Sequence, residues 1–117
     1  MKKVRIILSN EAKEAFQKIN FKAKDSKIEK SLLKSIQNKI ELIKINPHYG
    51  DPVEKTKIPT TYKEKYGITN LFRLELSNFW RMDYTLRNNE IEIEIIAFVL
   101  NIMDHKKYNK TYGYKKN

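Results

Sequence analysis

Cysteine is absent from this sequence of 117 residues. The chain therefore has no disulfide, no thiolate nucleophile and no cysteine-based metal site. Its two histidines, His48 and His105, lie far apart in the sequence, so a zinc site would need carboxylates as further ligands. We accordingly expect no metal ion and no cofactor.

Long apolar runs are also absent. No stretch approaches the length of a membrane span, and the apolar segment that follows the basic start is too short for a signal peptide. We expect a soluble, cytoplasmic protein that does not contact a membrane. Glycine and proline are scarce, and no repeat or flexible linker divides the chain, so residues 1–117 are expected to form a single domain.

Acidic residues are few compared with basic ones, at 14 against 24, and the formal net charge is +10. Such an excess favours a polyanionic partner, which could be nucleic acid, an acidic protein or an anionic membrane. A basic surface that only keeps the protein soluble is the alternative.

The first half of the sequence predicts one strand and two helices. Residues 3–8, "KVRIIL", are short and rich in β-branched residues, which is typical of a strand. Apolar residues recur at helical spacing over residues 11–20. Ser26 and Glu29 then match a capping box at the start of a longer helix, which should end before Pro47.

The second half predicts a long connection and three strands. Residues 47–69 contain three prolines and two glycines, and "VEKTKI" within them could add a short edge strand. Apolar and polar residues alternate in "LFRLEL" and again in "WRMDYTLR". A three-residue turn at 77–79 places both apolar sets on one face of the hairpin, whereas a two-residue turn would place them on opposite faces.

This register has a consequence for four charged residues. It brings Arg73 opposite Asp83 and Glu75 opposite Arg81. The pairs could be two cross-strand ion pairs on the surface. Alternatively, the arginines form a basic face that holds phosphate, because the planar guanidinium meets phosphate oxygens in pairs.

The last strand and the tail complete the order βααβββ. Asn88 and Asn89 suit a tight turn, and the strand should run from Ile91 to about Leu100. The tail combines one histidine with several lysines and tyrosines, and tyrosine can stack on bases. We expect His105 to Tyr114 to dock beside the sheet face that the two helices leave uncovered.

The order of these elements resembles the RelE/ParE superfamily of type II toxins, and in particular its RelE-like branch. The segments "FRLEL", "WRMDYTL" and "AFVLNIMDHKKYNKTY" and the two-helix hairpin before them carry the resemblance, which spans nearly the whole chain. It implies an α+β fold, in which a curved, mostly antiparallel four-stranded sheet with a possible extra edge strand packs on an N-terminal two-helix hairpin. It further implies an endonuclease that cuts mRNA on the ribosome without metal, through attack of the 2′-hydroxyl on the adjacent phosphate.

The resemblance also nominates site residues. Arg81 matches a phosphate-binding arginine, and Lys106 matches a basic residue that assists the leaving group. His105 lies where some relatives carry an acid or base, and Tyr112 matches a tyrosine that stacks on or orients the nucleotide. Further contacts to RNA are expected from Arg73, Lys57, Lys107 and Tyr108.

Two positions depart from the pattern of the family. Glu75 occupies the position of a second basic residue, which reverses the charge there. Lys106 stands where arginine is common, and the two side chains differ in geometry and in pKa.

Two other functions remain open. One is a ParE-like toxin that inhibits DNA gyrase by binding, and the other is a basic RNA-binding domain without toxicity. Both toxin hypotheses imply a cognate antitoxin protein as a partner, and the nuclease hypothesis adds mRNA on the ribosome.

Overall fold

The computed structural model describes residues 3–89 and 94–113, which form an α+β fold. The elements, in chain order, are β1 (Lys3–Leu8), α1 (Asn10–Lys22), α2 (Lys27–Ile45), β2 (Asp51–Pro52), α3 (Thr60–Tyr66), β3 (Phe72–Glu75), β4 (Arg81–Asn89), β5 (Glu94–Met103) and α4 (His105–Tyr112). Single 3₁₀ turns span Lys55–Lys57 and Ser77–Phe79.

The five strands form one mixed sheet in the order β1-β5-β4-β3-β2. Only the β1–β5 pair is parallel, and the other three pairs are antiparallel. The predicted class is confirmed. The extra edge strand exists, but it is Asp51–Pro52, and the segment "VEKTKI" contains a 3₁₀ turn instead.

The helices α1 and α2 cover one face of the sheet and form the main core with it. Ser9 fixes the start of α1, because its hydroxyl accepts a hydrogen bond from the Ala12 amide and donates one to the Leu100 carbonyl at 2.6 Å. The fully buried side chains of this core include Ala12, Leu32, Ile36, Ile43, Met82, Tyr84, Ala97 and Val99.

The start of α2 differs in detail from a capping box. Ser26 is the N-cap residue, but its hydroxyl bonds to the Glu29 carboxylate rather than to a backbone amide. At the other end α2 stops at Ile45, before the Asn46–Pro47 step, where a helical backbone is disfavoured.

The β3–β4 hairpin has the register that the alternation pattern predicts. Arg73 pairs with Asp83 and Glu75 with Arg81, across the three-residue turn Ser77–Phe79. The apolar side chains of both strands consequently point to α1 and α2. The two arginines lie on the opposite face of the sheet, which we call the second face.

Two short helices cover the second face along much of its length, whereas the sequence predicted only that the tail from His105 docks beside this face. The short helix α3 lies in the segment that was expected to be an irregular connection, and α4 lies in the expected tail. Together they bury a second apolar cluster of Ile58, Tyr62, Ile68, Leu71 and Leu100. The end of the face that carries the arginines is accessible through a cleft.

A bulge in β5 shapes this face. Asp83 pairs with Asn101, but the next residue, Tyr84, pairs with Val99, so that Leu100 is the extra residue. Leu100 is fully buried in the second cluster.

The turn predicted at Asn88 and Asn89 is wrong. Both residues belong to β4 and pair with Ile95 and Glu94 of β5. The connection between these strands and the expected docking of Tyr114 lie outside the described residues.

Candidate nucleic-acid interface

Two arginines meet at the accessible end of the second face. Arg73 lies in β3, and Arg81 begins β4, where it pairs with Glu75 on one side and Met103 on the other. Both arginine side chains are only partly exposed. The hairpin register therefore fixes two permanent positive charges on neighbouring strands.

Tyr108 of α4 joins the two arginines. The Nη1 atom of Arg73 donates a hydrogen bond of 2.6 Å to the Tyr108 hydroxyl. The Cζ atom of Arg81 lies 5.6 Å from the centre of the Tyr108 ring, which is within range for a cation–π interaction. Tyr108 is only 5% exposed, so the sequence-predicted RNA contact is a buried support for both guanidinium groups.

These groups line a cleft of about 230 Å³, which we call the arginine cleft. Its lining residues are Asp51, Arg73, Leu74, Glu75, Arg81 and Tyr108.

The charge reversal at Glu75 has a visible effect. An oxygen of Glu75 lies 3.5 Å from the Nη2 atom of Arg81. The side chain of Glu75 is 80% exposed, whereas that of Arg81 is 17% exposed. An ion pair with such an exposed partner contributes at most about 1 kcal/mol, so a phosphate could displace the carboxylate from Arg81.

A buried carboxylate lies next to the cleft. Asp83 is fully buried, and its Oδ2 atom accepts hydrogen bonds from the hydroxyls of Tyr62 at 2.7 Å and Tyr112 at 2.8 Å. We call these three residues the Asp83 cluster. Arg73 reaches Tyr108 rather than forming the predicted ion pair with Asp83.

Burial raises the pKa of Asp83 to about 7, although the hydrogen bonds from Tyr62 and Tyr112 lower it in part. The other oxygen of Asp83, Oδ1, has no hydrogen-bond partner among the described residues. Burial and the nearby Asp83 charge raise the pKa of both tyrosines, which keeps their hydroxyls protonated as donors.

The Asp83 cluster supports the arginine cleft through ring stacking. The rings of Tyr112 and Tyr108 are stacked, with centres 4.5 Å apart. Tyr62 also meets the Tyr112 ring edge-on at 6.3 Å. Hence a chain of contacts runs from Asp83 through Tyr112 to Tyr108 and the two arginines.

The remaining residues nominated on α4 lie outside the lining of the cleft. His105 and Lys106 are exposed on the first turn of the helix, directly after β5. The Nε2 atom of His105 is 3.3 Å from the Asn109 side-chain nitrogen. Asp104 caps this turn by accepting a hydrogen bond of 2.8 Å from the amide of Lys107, whose side chain is exposed.

Lys57 lies away from the arginines. Its exposed ammonium group is 3.8 Å from Glu54. It lines a separate open cleft together with Lys110 and Tyr112. The structure thus brings Arg73, Arg81 and Tyr108 together, and it distributes the other nominated residues around them.

Sequence reasoning missed the role of Tyr62 and Asp83. Gly67 follows "TTYKEKY" and adopts a left-handed conformation with φ of 59°, so it is the C-cap of α3. This glycine was the available signal for the helix that carries Tyr62. No signal in a single sequence reveals that Asp83 is buried by α3 and α4.

Two kinds of feature are absent from the described part of the chain. No group of three histidine or carboxylate side chains within residues 3–89 and 94–113 could hold a metal ion. Across the same ranges, no helix is long and apolar enough to span a membrane.

Comparison with known proteins identifies the fold. No profile of a known protein family and no curated protein sequence matches this chain. Among solved structures, the E. coli toxin RelE matches this chain with a TM-score of 0.53. The matching structure is that of a RelE mutant with two arginine-to-alanine substitutions, in the free state. The match covers 97% of this chain and 94% of RelE at 12% sequence identity.

The chain has the RelE fold. At 12% identity the match concerns the path of the backbone rather than the side chains of the site. It confirms the expected RelE-like architecture.

Proposed function

We propose that this protein is a RelE-like toxin that cuts mRNA on the ribosome. The observation that supports this function is the convergence of Arg73 and Arg81 on Tyr108 in a cleft opposite α1 and α2. Two guanidinium groups held on adjacent strands suit a phosphate that passes between them. The net charge of +10 favours a polyanionic substrate in the same way.

The reaction that fits these residues needs no metal ion. The 2′-oxygen of the substrate attacks the adjacent phosphorus, the bond to the 5′-oxygen of the next nucleotide breaks, and a cyclic phosphate and a 5′-hydroxyl result. Arg73 and Arg81 stabilise the negative charge that develops on the phosphorane. His105 takes the proton of the attacking 2′-hydroxyl, and Lys106 delivers a proton to the leaving 5′-oxygen. Both residues lie within three positions of Met103, the residue paired with Arg81.

The other nominated residues act in support of this site. Tyr112 orients the nucleotide through its stack on Tyr108, since its own hydroxyl is engaged by Asp83. Lys107 on α4, and Lys57 in the cleft that it lines with Lys110, extend the positive surface and contact the RNA backbone.

A cognate antitoxin is the partner that this function requires. A toxin acting on ribosomes must be restrained in the cytoplasm of the cell that makes it. An acidic or amphipathic segment that covers the arginine cleft would complement the basic charge of this chain.

Binding without cleavage is the second candidate. The pairing of Glu75 with Arg81 favours it, because this carboxylate partly neutralises the central cation of the cleft. In that case the protein would act as a ParE-like gyrase inhibitor or as a non-toxic RNA-binding domain.

Expression in a susceptible cell separates these functions. The nuclease proposal predicts growth arrest and loss of translated mRNA, and both effects should disappear in Arg81→Ala. Growth arrest with intact mRNA and inhibited DNA supercoiling would support the gyrase inhibitor. Normal growth together with RNA binding in vitro would leave the non-toxic domain.

A further inference from the structure

The tip of the β3–β4 hairpin carries an unusual aromatic residue. Phe79 has a positive φ of 63°, and its side chain is 75% exposed. The preceding Asn78 also has a positive φ, of 57°. Asparagine tolerates this left-handed region, whereas a bulky residue is an outlier there.

Neither property of Phe79 helps the turn to form. Glycine or asparagine would adopt the same backbone at a lower cost, and a polar side chain would avoid the exposure of a phenyl ring to water. Backbone strain of this kind is concentrated at functional positions. The exposed ring is therefore a candidate for binding.

Phe79 lies close to Arg81, which lines the arginine cleft. It is two residues before Arg81, so their Cα atoms are at most about 7.6 Å apart. This distance is comparable with the span of a single extended nucleotide. A nucleotide adjacent to a phosphate held by Arg81 can therefore reach the Phe79 ring.

A basic groove lies on the other side of the same turn. The Ser77 amide donates a hydrogen bond of 3.2 Å to the Ser35 hydroxyl, which attaches the turn to α2. An open groove between them is lined by Lys30, Ser31, Leu33, Lys34, Ser35, Gln37, Asn38 and Ser77. This lining has two lysines and no carboxylate, so its charge suits a polyanion such as a phosphate backbone.

We propose that Phe79 is a stacking platform for a base of single-stranded RNA. The RNA strand passes from the arginine cleft over the hairpin tip and continues toward Lys30 and Lys34. This inference rests on the proposed RNA-binding function and specifies the substrate as single-stranded, because the faces of a base inside a duplex are already covered by the neighbouring base pairs. Stacking on a phenyl ring tolerates any base, so this contact adds affinity without sequence preference.

Binding of a labelled single-stranded RNA of about ten nucleotides tests the proposal. Phe79→Ala should weaken binding by about tenfold to a hundredfold, which is the usual effect of losing one base–aromatic stack. Phe79→Tyr should retain the affinity. Phe21→Ala is the matched control, because Phe21 is 70% exposed at the end of α1 and should not contact the RNA.

A glycine variant excludes loss of folding as the cause. Phe79→Gly removes the backbone strain and should raise the melting temperature while it weakens RNA binding. Wild-type affinity in both Phe79→Ala and Phe79→Gly would overturn the proposal. If these variants lost only the binding of an acidic protein partner, the ring would be a protein contact and the proposal would be wrong.

The salt dependence of binding separates this inference from the proposed function. Arg81→Ala should reduce the slope of log affinity against log salt by about one, since it removes a phosphate contact. Phe79→Ala should leave that slope unchanged. A response to Arg81→Ala without a response to Phe79→Ala contradicts the stacking platform alone, whereas wild-type protein that does not bind RNA contradicts both.

Discussion

Replacing Asp83 by asparagine should change how the stability of the protein depends on pH. The carboxyl group is fully buried, and its pKa is about 7 in the folded protein against 3.8 for an ordinary aspartate. Between pH 3.8 and about 7 the folded state therefore keeps a proton on Asp83 that the unfolded state has released. One pKa unit corresponds to about 1.4 kcal/mol, so the shift from 3.8 to about 7 corresponds to about 4 kcal/mol in the free energy of unfolding.

The sign follows from the raised pKa. The stabilising contribution of protonated Asp83 is fully present below pH 3.8 and declines between pH 3.8 and about 7. Above about pH 7 it is lost, because the folded protein must then hold an ionised carboxylate in its interior. Asparagine keeps a carbonyl oxygen that can accept both tyrosine hydrogen bonds, and it has no charge to bury.

Urea unfolding of wild-type protein and Asp83→Asn from about pH 4 to about pH 8 measures this effect. The free energy of unfolding of the wild type, relative to that of the variant, should fall by about 1.4 kcal/mol per pH unit from about pH 4 to about pH 7 and then level off. The same comparison with Asp25→Asn, an exposed carboxylate in the α1–α2 connection, should show no such fall. A difference between wild type and Asp83→Asn that stays constant with pH would refute the reasoning.

Three further predictions concern the neighbouring contacts. Tyr112→Phe removes a hydrogen bond that favours ionised Asp83, so it should raise the pKa of Asp83 above the wild-type value. An NMR titration of the Asp83 carboxyl carbon measures this pKa, and an unchanged or lower value would be contrary evidence. Glu75→Gln frees Arg81 from its exposed partner, so it should strengthen RNA binding severalfold with little change in stability. Weaker RNA binding by this variant would show that the Glu75 carboxylate is part of the site. Tyr108→Phe keeps the ring but removes the hydrogen bond from Arg73, so the free energy of unfolding measured in urea should fall by about 1 kcal/mol. Wild-type stability in this variant would mean that the bond contributes nothing.

The hairpin at the site could be predicted from the sequence because its constraint is local. Alternation has a period of two, so a turn with the wrong number of residues would have placed one apolar set in water. Alternation and turn length together predict the pairs Arg73–Asp83 and Glu75–Arg81, and the structure confirms both pairs. The helical hairpin followed from apolar spacing in the same way.

The two short helices that cover the second face could not be predicted in this way. The helix α3 has only seven residues and follows a segment with three prolines, so its sequence resembles an irregular connection. The helix α4 has only eight residues, and most of them are polar. Elements this short are stabilised by packing on the sheet rather than by their own sequence.

The candidate site could be predicted only in part, because it also depends on how the short helices pack on the sheet. The pattern placed Arg73 and Arg81 on one face, but the partner that joins them, Tyr108, depends on how α4 docks. The burial of Asp83 depends on Tyr62 and Tyr112, which are 21 and 29 residues away in the sequence. An alternating strand pattern shows which face a side chain is on, but it does not show what covers that face.

Cleavage of mRNA bound to ribosomes tests the central claim most directly. Wild-type protein should produce fragments that end in a cyclic phosphate and begin with a 5′-hydroxyl, and Arg81→Ala should produce none. Arg87→Ala is the control, because Arg87 lies on the same strand and face but roughly 20 Å farther along, and this variant should cut like the wild type. Intact mRNA with the wild-type protein, or equal cleavage by Arg81→Ala, would contradict the assignment of the arginine cleft as a nuclease site.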